Sequence, residues 1–366
     1  MLYRKYRPQT FSEVVGQEHV VRTLQGALTT GRIGHAYLFT GPRGTGKTTM
    51  ARLLAKSVNC SNYQLPVTNY QNVPCDKCDF CLAVKNNNSL DLIEIDAASN
   101  RGIDEIRSLK ESAGVAAPGG KYKVFIIDEV HMLTKDAFNA LLKILEEPPA
   151  HVIFVLATTE PHKILPTVLS RVQRFDFKRL TSSQILTKLK DVSGAEKIKI
   201  EDGGLLAIAV SADGALRDAE VALSKIMAAH DRSRAITQED VYETLGLIPA
   251  HYHPEFLGYL VSGDKNSAID FVSRIHSGGI DLEHFTAGFI EYMRKILVNS
   301  INPAVLASVG EELLDHDKKF IAAYARNLEP DRLIRIISTF ISAKEGMKSS
   351  PIPQLPLELA ILEILR

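Results

Sequence analysis

Gly41-Pro42-Arg43-Gly44-Thr45-Gly46-Lys47-Thr48 sets glycines, a lysine and a hydroxyl in the spacing G-x-x-x-x-G-K-T. Glycines let a backbone curl until successive N–H groups point at one anion. Lys47 brings a positive charge to the outer phosphates, and the Thr48 hydroxyl is a ligand for magnesium. A helix opening at this point adds its positive N-terminal end, with Thr49 in its first turn. A glycine-rich turn without a ligand is the bland alternative. It does not explain why the strand-like run Ala36–Thr40 precedes the loop and the helical pattern Thr48–Val58 follows it. The chemistry indicated is the binding and hydrolysis of a nucleoside triphosphate.

Lys123-Val124-Phe125-Ile126-Ile127-Asp128-Glu129 is an apolar run ending in two carboxylates. Behind a phosphate loop, that pattern delivers Asp128 to magnesium and Glu129 to the attacking water. By themselves, two acids after a buried strand are no more than a loop start. His131 lies close by and reads as a packed or capping histidine.

All four cysteines fall in one segment, Cys60 followed by Cys75-x-x-Cys78-x-x-Cys81. Four sulfurs with none left over suit a closed tetrahedral zinc site, which is structural and keeps no position open for catalysis. Two disulfides do not fit a cytosolic chain. An iron–sulfur cluster and metal-free thiols remain as alternatives.

Positioning these groups calls for a parallel sheet. The first half alternates short apolar runs with helical patterns, the signature of an α/β fold with helices over a sheet. The expected strands are Ala36–Thr40, Asp91–Asp96, Lys123–Asp128, Val152–Ala157 and Gln173–Phe177. Thr134 is the expected N-cap of a helix running to Glu147, where Pro148-Pro149 ends it. From about Leu180 the strand signals stop. Residues 181–246 read as a small helical unit with a turn at Ala212-Asp213-Gly214. Residues 247–366 read as a longer helical unit, with Phe285, Phe289, Tyr292 and Met293 on one face. Pro249 and Pro254 flank an expected hinge.

At 366 residues the chain is long for one core, and its 43 basic and 43 acidic residues cancel. Net charge therefore gives no pointer to nucleic acid or an anionic membrane. The N-terminus is basic but no apolar stretch follows, which argues against a secretory signal. Runs such as Val152–Ala157 are too short to span a bilayer. The expected location is cytoplasmic, with no membrane partner.

Further along, Ile127-Asp128-Glu129-Val130-His131-Met132-Leu133, Phe138-Asn139-Ala140-Leu141-Leu142-Lys143 and Leu145-Glu146-Glu147-Pro148-Pro149 resemble the clamp-loader AAA+ ATPases. Within them, the chain is similar to the gamma/tau family of bacterial DNA polymerase III subunits. Arg7-Pro8-Gln9-Thr10-Phe11, Val14-Val15-Gly16-Gln17-Glu18-His19 and Ile95-Asp96-Ala97-Ala98-Ser99 match as well. The dense motifs cover residues 3–250; beyond them only the all-helical character agrees.

The resemblance implies an AAA+ P-loop NTPase domain over residues 1–179, built on a five-stranded parallel sheet. A four-cysteine zinc module (60–81) would be inserted in it. A small helical lid would span 180–246 and an all-helical oligomerisation collar 247–366. ATP, Mg2+ and Zn2+ are the implied cofactors. Thr159 would be the polar sensor near the terminal phosphate, and Arg217 the second sensor reaching back from the lid. Arg171, in Ser170-Arg171-Val172, would reach the ATP of a neighbouring subunit; Val172 departs from the family's cysteine there. Pro8 and Val15 would line the adenine pocket. Against these stand bland alternatives, a solvated Arg171 and an ion pair of Arg217 with Asp218.

The implied function is an ATP-dependent clamp-loader subunit of the DNA polymerase III holoenzyme, acting in DNA replication. Its partners would be other clamp-loader subunits and further copies of itself, the sliding clamp, and primer–template DNA. The alternative is an AAA+ ATPase that remodels DNA or a helicase, as a junction motor or helicase loader. The C-terminal third lacks the strand pair of a winged-helix DNA reader, which disfavours it. A nucleotide-binding scaffold without hydrolysis is disfavoured by intact Lys47, Thr48, Asp128 and Glu129.

Overall fold

The computed structural model describes residues 1–63, 73–231, 234–249, 251–302 and 315–366. Residues 64–72 of the cysteine module, Ala250 of the expected hinge and residues 303–314 of the expected collar lie outside the described residues. Two compact units are present, residues 1–196 with 211–224, and residues 197–210 with 225–366.

The first unit is built on five strands: β1 (Ala36–Thr40), β2 (Leu92–Asp96), β3 (Lys123–Asp128), β4 (Val152–Thr158) and β5 (Gln173–Asp176). All are parallel, in the order β2-β3-β4-β1-β5. The α/β class and the five-stranded parallel sheet expected from sequence are thus found. Strand ends differ from expectation by a residue, yet the ladder reaches past them. Asp91 still accepts from the Val124 N–H at 2.8 Å, and the Phe177 N–H donates to the Thr40 carbonyl at 2.7 Å.

Alternation along each strand sends side chains to opposite faces. Tyr37, Phe39, Val124, Ile126, Ile153 and Val155 pack under helices Glu18–Thr30 and Lys47–Val58. Leu38, Phe125, Ile127, Phe154 and Leu156 pack under helices Ile103–Ala113 and Lys135–Glu146. Both faces being dry explains why β1, β3 and β4 are apolar on successive residues through their middles. The Thr134 hydroxyl accepts from the Ala137 N–H and caps the last of these helices. Phe138, Leu141, Ile144 and Leu145 form its buried face. Connections from β1 to β2 and from β4 to β5 leave in opposite directions, so a crevice opens at the carboxyl ends of β1, β3 and β4, where this fold class places its ligands.

Among the described residues, the second unit has no strand beyond the single bridge between Ile200 and Ile236. Its core is aromatic: Phe256, Phe271, Phe285, Phe289 and Phe340 are buried and in ring contact. Helix Leu282–Ile301 presents Phe285, Phe289, Tyr292 and Met293 to that core, as their spacing predicts. No helix is long and apolar enough to cross a membrane among the described residues.

Candidate nucleotide site and cysteine cluster

The loop after β1 is shaped by glycine. Gly41, Gly44 and Gly46 have φ of 143°, 77° and 99°, a region that L side chains rarely adopt. Gly41 is also tight, because a Cβ there would collide with the Phe177 carbonyl. Lys47 curls back and donates to the carbonyls of Gly41 and Pro42, each at 2.8 Å. Burial pushes its pKa down, while Glu129 and Asp128 oppose the shift. Helix Lys47–Val58 then starts without a side-chain cap, and Lys47, Thr48 and Thr49 of its first turn border the crevice.

The end of β3 brings the carboxylates to this loop. Asp128 Oδ2 accepts from the Thr48 hydroxyl at 2.8 Å, and its Oδ1 accepts from the Glu129 N–H at 3.0 Å. A hydroxyl and a carboxylate oxygen in contact are hard donors on one spot, which fits a magnesium site. Glu129 holds φ 48°, ψ 45°, a left-handed conformation costing a residue with a Cβ about 1–3 kcal/mol. Its side chain is anchored, Oε2 accepting from the Thr159 hydroxyl at 2.9 Å and the Thr159 N–H at 3.2 Å. His131 Nδ1 lies 2.9 Å from the Thr158 hydroxyl, and its Nε2 lies 3.2 Å from Glu160 Oε1. This histidine braces the ends of β3 and β4.

These groups open onto a cavity of about 530 Å³, the size range of small-ligand sites. Arg43 to Thr49, Asp128 and Glu129 line it, as do Pro8, Val15 and Arg217. Gly41 and Pro42 form the base of the loop through their bonds to Lys47. The Arg217 guanidinium sits 4.8 Å over the Tyr3 ring. Thr159 does not line the cavity and reaches it only through Glu129. Arg171 lies elsewhere, donating to the Thr167 carbonyl at 2.7 Å and to Glu146 at 2.8 Å. Sequence reasoning missed Tyr3, Arg7, Asp96 and Glu220, which also line the cavity. No local spacing joins positions so far apart in the chain. Burial raises Glu220 to about 7, opposed by the charges of Lys188 and Arg7.

Cys60, Cys75, Cys78 and Cys81 converge, their sulfurs all within 4.8 Å of one another. Four sulfurs held tetrahedrally at ~2.3 Å from a zinc ion lie roughly 3.8 Å apart, so the cluster fits such an ion with little movement. The Cys75 N–H donates to Cys60 Sγ at 3.4 Å and the Cys78 N–H to Cys75 Sγ at 3.3 Å. Such N–H···S bonds orient and stabilise thiolate ligands. The hydrogen bond from Cys81 holds the Cys60 thiol far below its ordinary range and pushes the Cys81 thiol up.

The family model described as DNA polymerase III, delta subunit, matches residues 16–181. The model for domain III of the gamma and tau subunits of DNA polymerase III matches residues 236–366. The tau subunit of Bacillus subtilis is 40% identical over 99% of this chain and 62% of its own length. The Escherichia coli tau subunit is 36% identical over 100% of this chain and 55% of its own length. The chain belongs to the gamma/tau family of DNA polymerase III subunits. It spans between half and two thirds of the length of those relatives. A solved RuvB Holliday-junction branch-migration motor of Thermotoga maritima is only distantly alike. It has 19% identity and a TM-score of 0.47, covering 70% of this chain and 79% of that one.

Proposed function

We propose that this chain is an ATP-binding and ATP-hydrolysing subunit of the clamp loader of the DNA polymerase III holoenzyme. The supporting observation is that Lys47, Thr48, Asp128, Glu129 and Arg217 share one cavity while Arg171 stands outside it. Such a site holds the groups that bind the nucleotide, its metal and the attacking water, and leaves room for one further arginine, supplied by a neighbour, on the terminal phosphate.

In this mechanism Pro8 and Val15 receive the adenine, and the loop N–H groups and Lys47 hold the phosphates. Magnesium, held by Thr48 and Asp128, would neutralise the charge on the outer phosphates. Glu129 orients the attacking water, with Thr159 fixing the carboxylate. Arg217 reaches the same nucleotide from its own chain, and Arg171 reaches the nucleotide of a neighbouring subunit. An arginine supplied in trans is worth about 10³–10⁵ in rate.

The ATP-bound ring would grip and open the sliding clamp. Primer–template DNA would bring Arg171 onto the neighbour's ATP, and hydrolysis would release the closed clamp in the cytoplasm. Residues 1–179 would act as ATPase domain, 180–246 as lid and 247–366 as oligomerising collar. Zinc on Cys60, Cys75, Cys78 and Cys81 would hold the inserted module (60–81) together. The test is the ATPase rate of the chain alone and with partner subunits, sliding clamp and primed DNA. Low basal turnover and strong stimulation are expected. Full-rate hydrolysis by the isolated chain, indifferent to clamp and DNA, would overturn the coupling.

A further inference from the structure

A second cavity, of about 390 Å³, adjoins the nucleotide cavity within the first unit. Among its described lining residues every charged side chain is a cation: Arg4, Arg7, Arg52, Lys56, Lys85 and Arg217. They come from four separate places, the N-terminal segment, helix Lys47–Val58, helix Asp79–Lys85 and helix Leu216–Ala229. Convergence of like charge from distant parts of a chain costs electrostatic energy, and a chain of zero net charge has carboxylates to spare for neutralising it.

Among the described residues, three of the six cations are in an ion pair with a carboxylate. Glu94 binds Arg52 at 2.6 Å, and Asp76 binds Lys56 at 2.6 Å and Lys85 at 2.8 Å. Neither acid lines the cavity. Six cations against these two carboxylates leave an excess of four positive charges. Arg4 and Arg217 both lie over the Tyr3 ring, at 5.7 and 4.8 Å. Arg7 is partly buried, and its burial and the charge of Arg52 lower its pKa while the charge of Glu94 opposes the shift. Glu220 approaches Arg7 from the nucleotide side, but burial raises that carboxyl to about 7 and so weakens it as a counter-ion. Lys56 is almost fully buried and locked by the Gln9 side chain at 2.9 Å as well as by Asp76, so this wall is preformed.

We propose that this cavity is a second anion site, separate from the phosphate loop, that takes a pyrophosphate group. Arginine forks match the paired oxygens of phosphates, and several of them around one pocket suit a multiply charged group better than a lone carboxylate. Two sources share that chemistry, free inorganic pyrophosphate and the diphosphate arm of a nucleotide. Tyr3, Arg7, Pro8 and Arg217 line both cavities, so the phosphate loop must be disabled before the second site is measured.

The experiment is calorimetric titration of the full chain carrying Lys47→Ala with inorganic pyrophosphate and, separately, with ADP. Sodium sulfate at equal ionic strength is the control. Saturable binding at one site is expected. Response to pyrophosphate assigns the free anion, and response to ADP alone assigns the nucleotide arm. Arg4→Glu and Lys85→Gln, at positions exposed enough to leave the fold intact, should each weaken binding about tenfold. In the background with Lys47 restored, Lys85→Gln should leave ATP affinity unchanged. The proposal is overturned by no saturable heat with either ligand, by binding indifferent to both substitutions, or by binding of single-stranded DNA in place of pyrophosphate.

Discussion

The Thr159 hydroxyl donates to Glu129 Oε2 at 2.9 Å, tying the end of β4 to the carboxylate at the end of β3. Glu129 is thereby held off the rotamers an exposed acid would sample, in a backbone conformation that needs support. Thr159→Val keeps the shape and removes the donor. ATP affinity should stay within about twofold while stimulated turnover falls about tenfold, since one charge-assisted hydrogen bond orients the group. Equal losses in both quantities would instead assign Thr159 to nucleotide binding.

Lys47 is buried between Gly41 and Pro42 and faces Asp128 and Glu129. Lys47→Ala removes the positive charge around which the loop is folded. Binding of a fluorescent ATP analogue should weaken by more than about a hundredfold. Retention of normal affinity would contradict the phosphate-loop assignment.

Arg171 is part-exposed and paired with Glu146, an arrangement worth at most about 1 kcal/mol to folding. Arg171→Ala should therefore leave thermal stability and ATP binding as they are. Turnover stimulated by partners, clamp and primed DNA should fall by about 10³. Unchanged stimulation sinks the finger role.

The cysteine cluster predicts about one equivalent of zinc per chain by metal analysis. Cys81→Ser, or chelation at neutral pH, should lower the thermal midpoint by more than about 5 °C. A metal-free preparation with an unaltered midpoint would show the thiols to be structural without zinc.

In the second unit His253 is wedged against Phe285 and Tyr292, and its Nε2 is buried with no hydrogen-bond partner among the described residues. A Cβ on Gly288 would stand 2.9 Å from that nitrogen, so the ring packs close against the glycine. Burial lowers its pKa to about 4, with Lys295 and His284 adding to the shift and a bond to the Phe285 backbone opposing it. Between about 4 and 6.5 the unfolded chain binds this proton and the folded one does not. Stability is therefore full above about pH 6.5 and drops by about 3 kcal/mol as pH falls to 4. Urea unfolding of the wild type should show that slope, and His253→Phe should flatten it.

Much of the site was legible in sequence because its parts are local. Gly41–Thr48 encodes a loop whose φ values only glycine adopts freely. Lys123–Glu129 encodes a buried strand ending in two acids. Cys75, Cys78 and Cys81 sit at metal-ligand spacing. Strand alternation and the Thr134 cap likewise follow from neighbours a few residues apart, which is the range over which backbone sterics and hydrogen bonding act.

What the fold alone decided are the relations between remote segments. Strand order put β4 between β1 and β3, so Thr159 meets Glu129 across the sheet and not along the chain. Tyr3 came to lie under Arg217, and six cations from four segments came to share one cavity. No periodicity records such meetings, because they depend on where packed helices and strands deliver their ends. The sequence by itself determined that a glycine-rich loop carrying Lys47 and Thr48 stands between a buried strand and a helix. Tertiary structure decided what surrounds it, since burial and long-range contact set charge, orientation and access there.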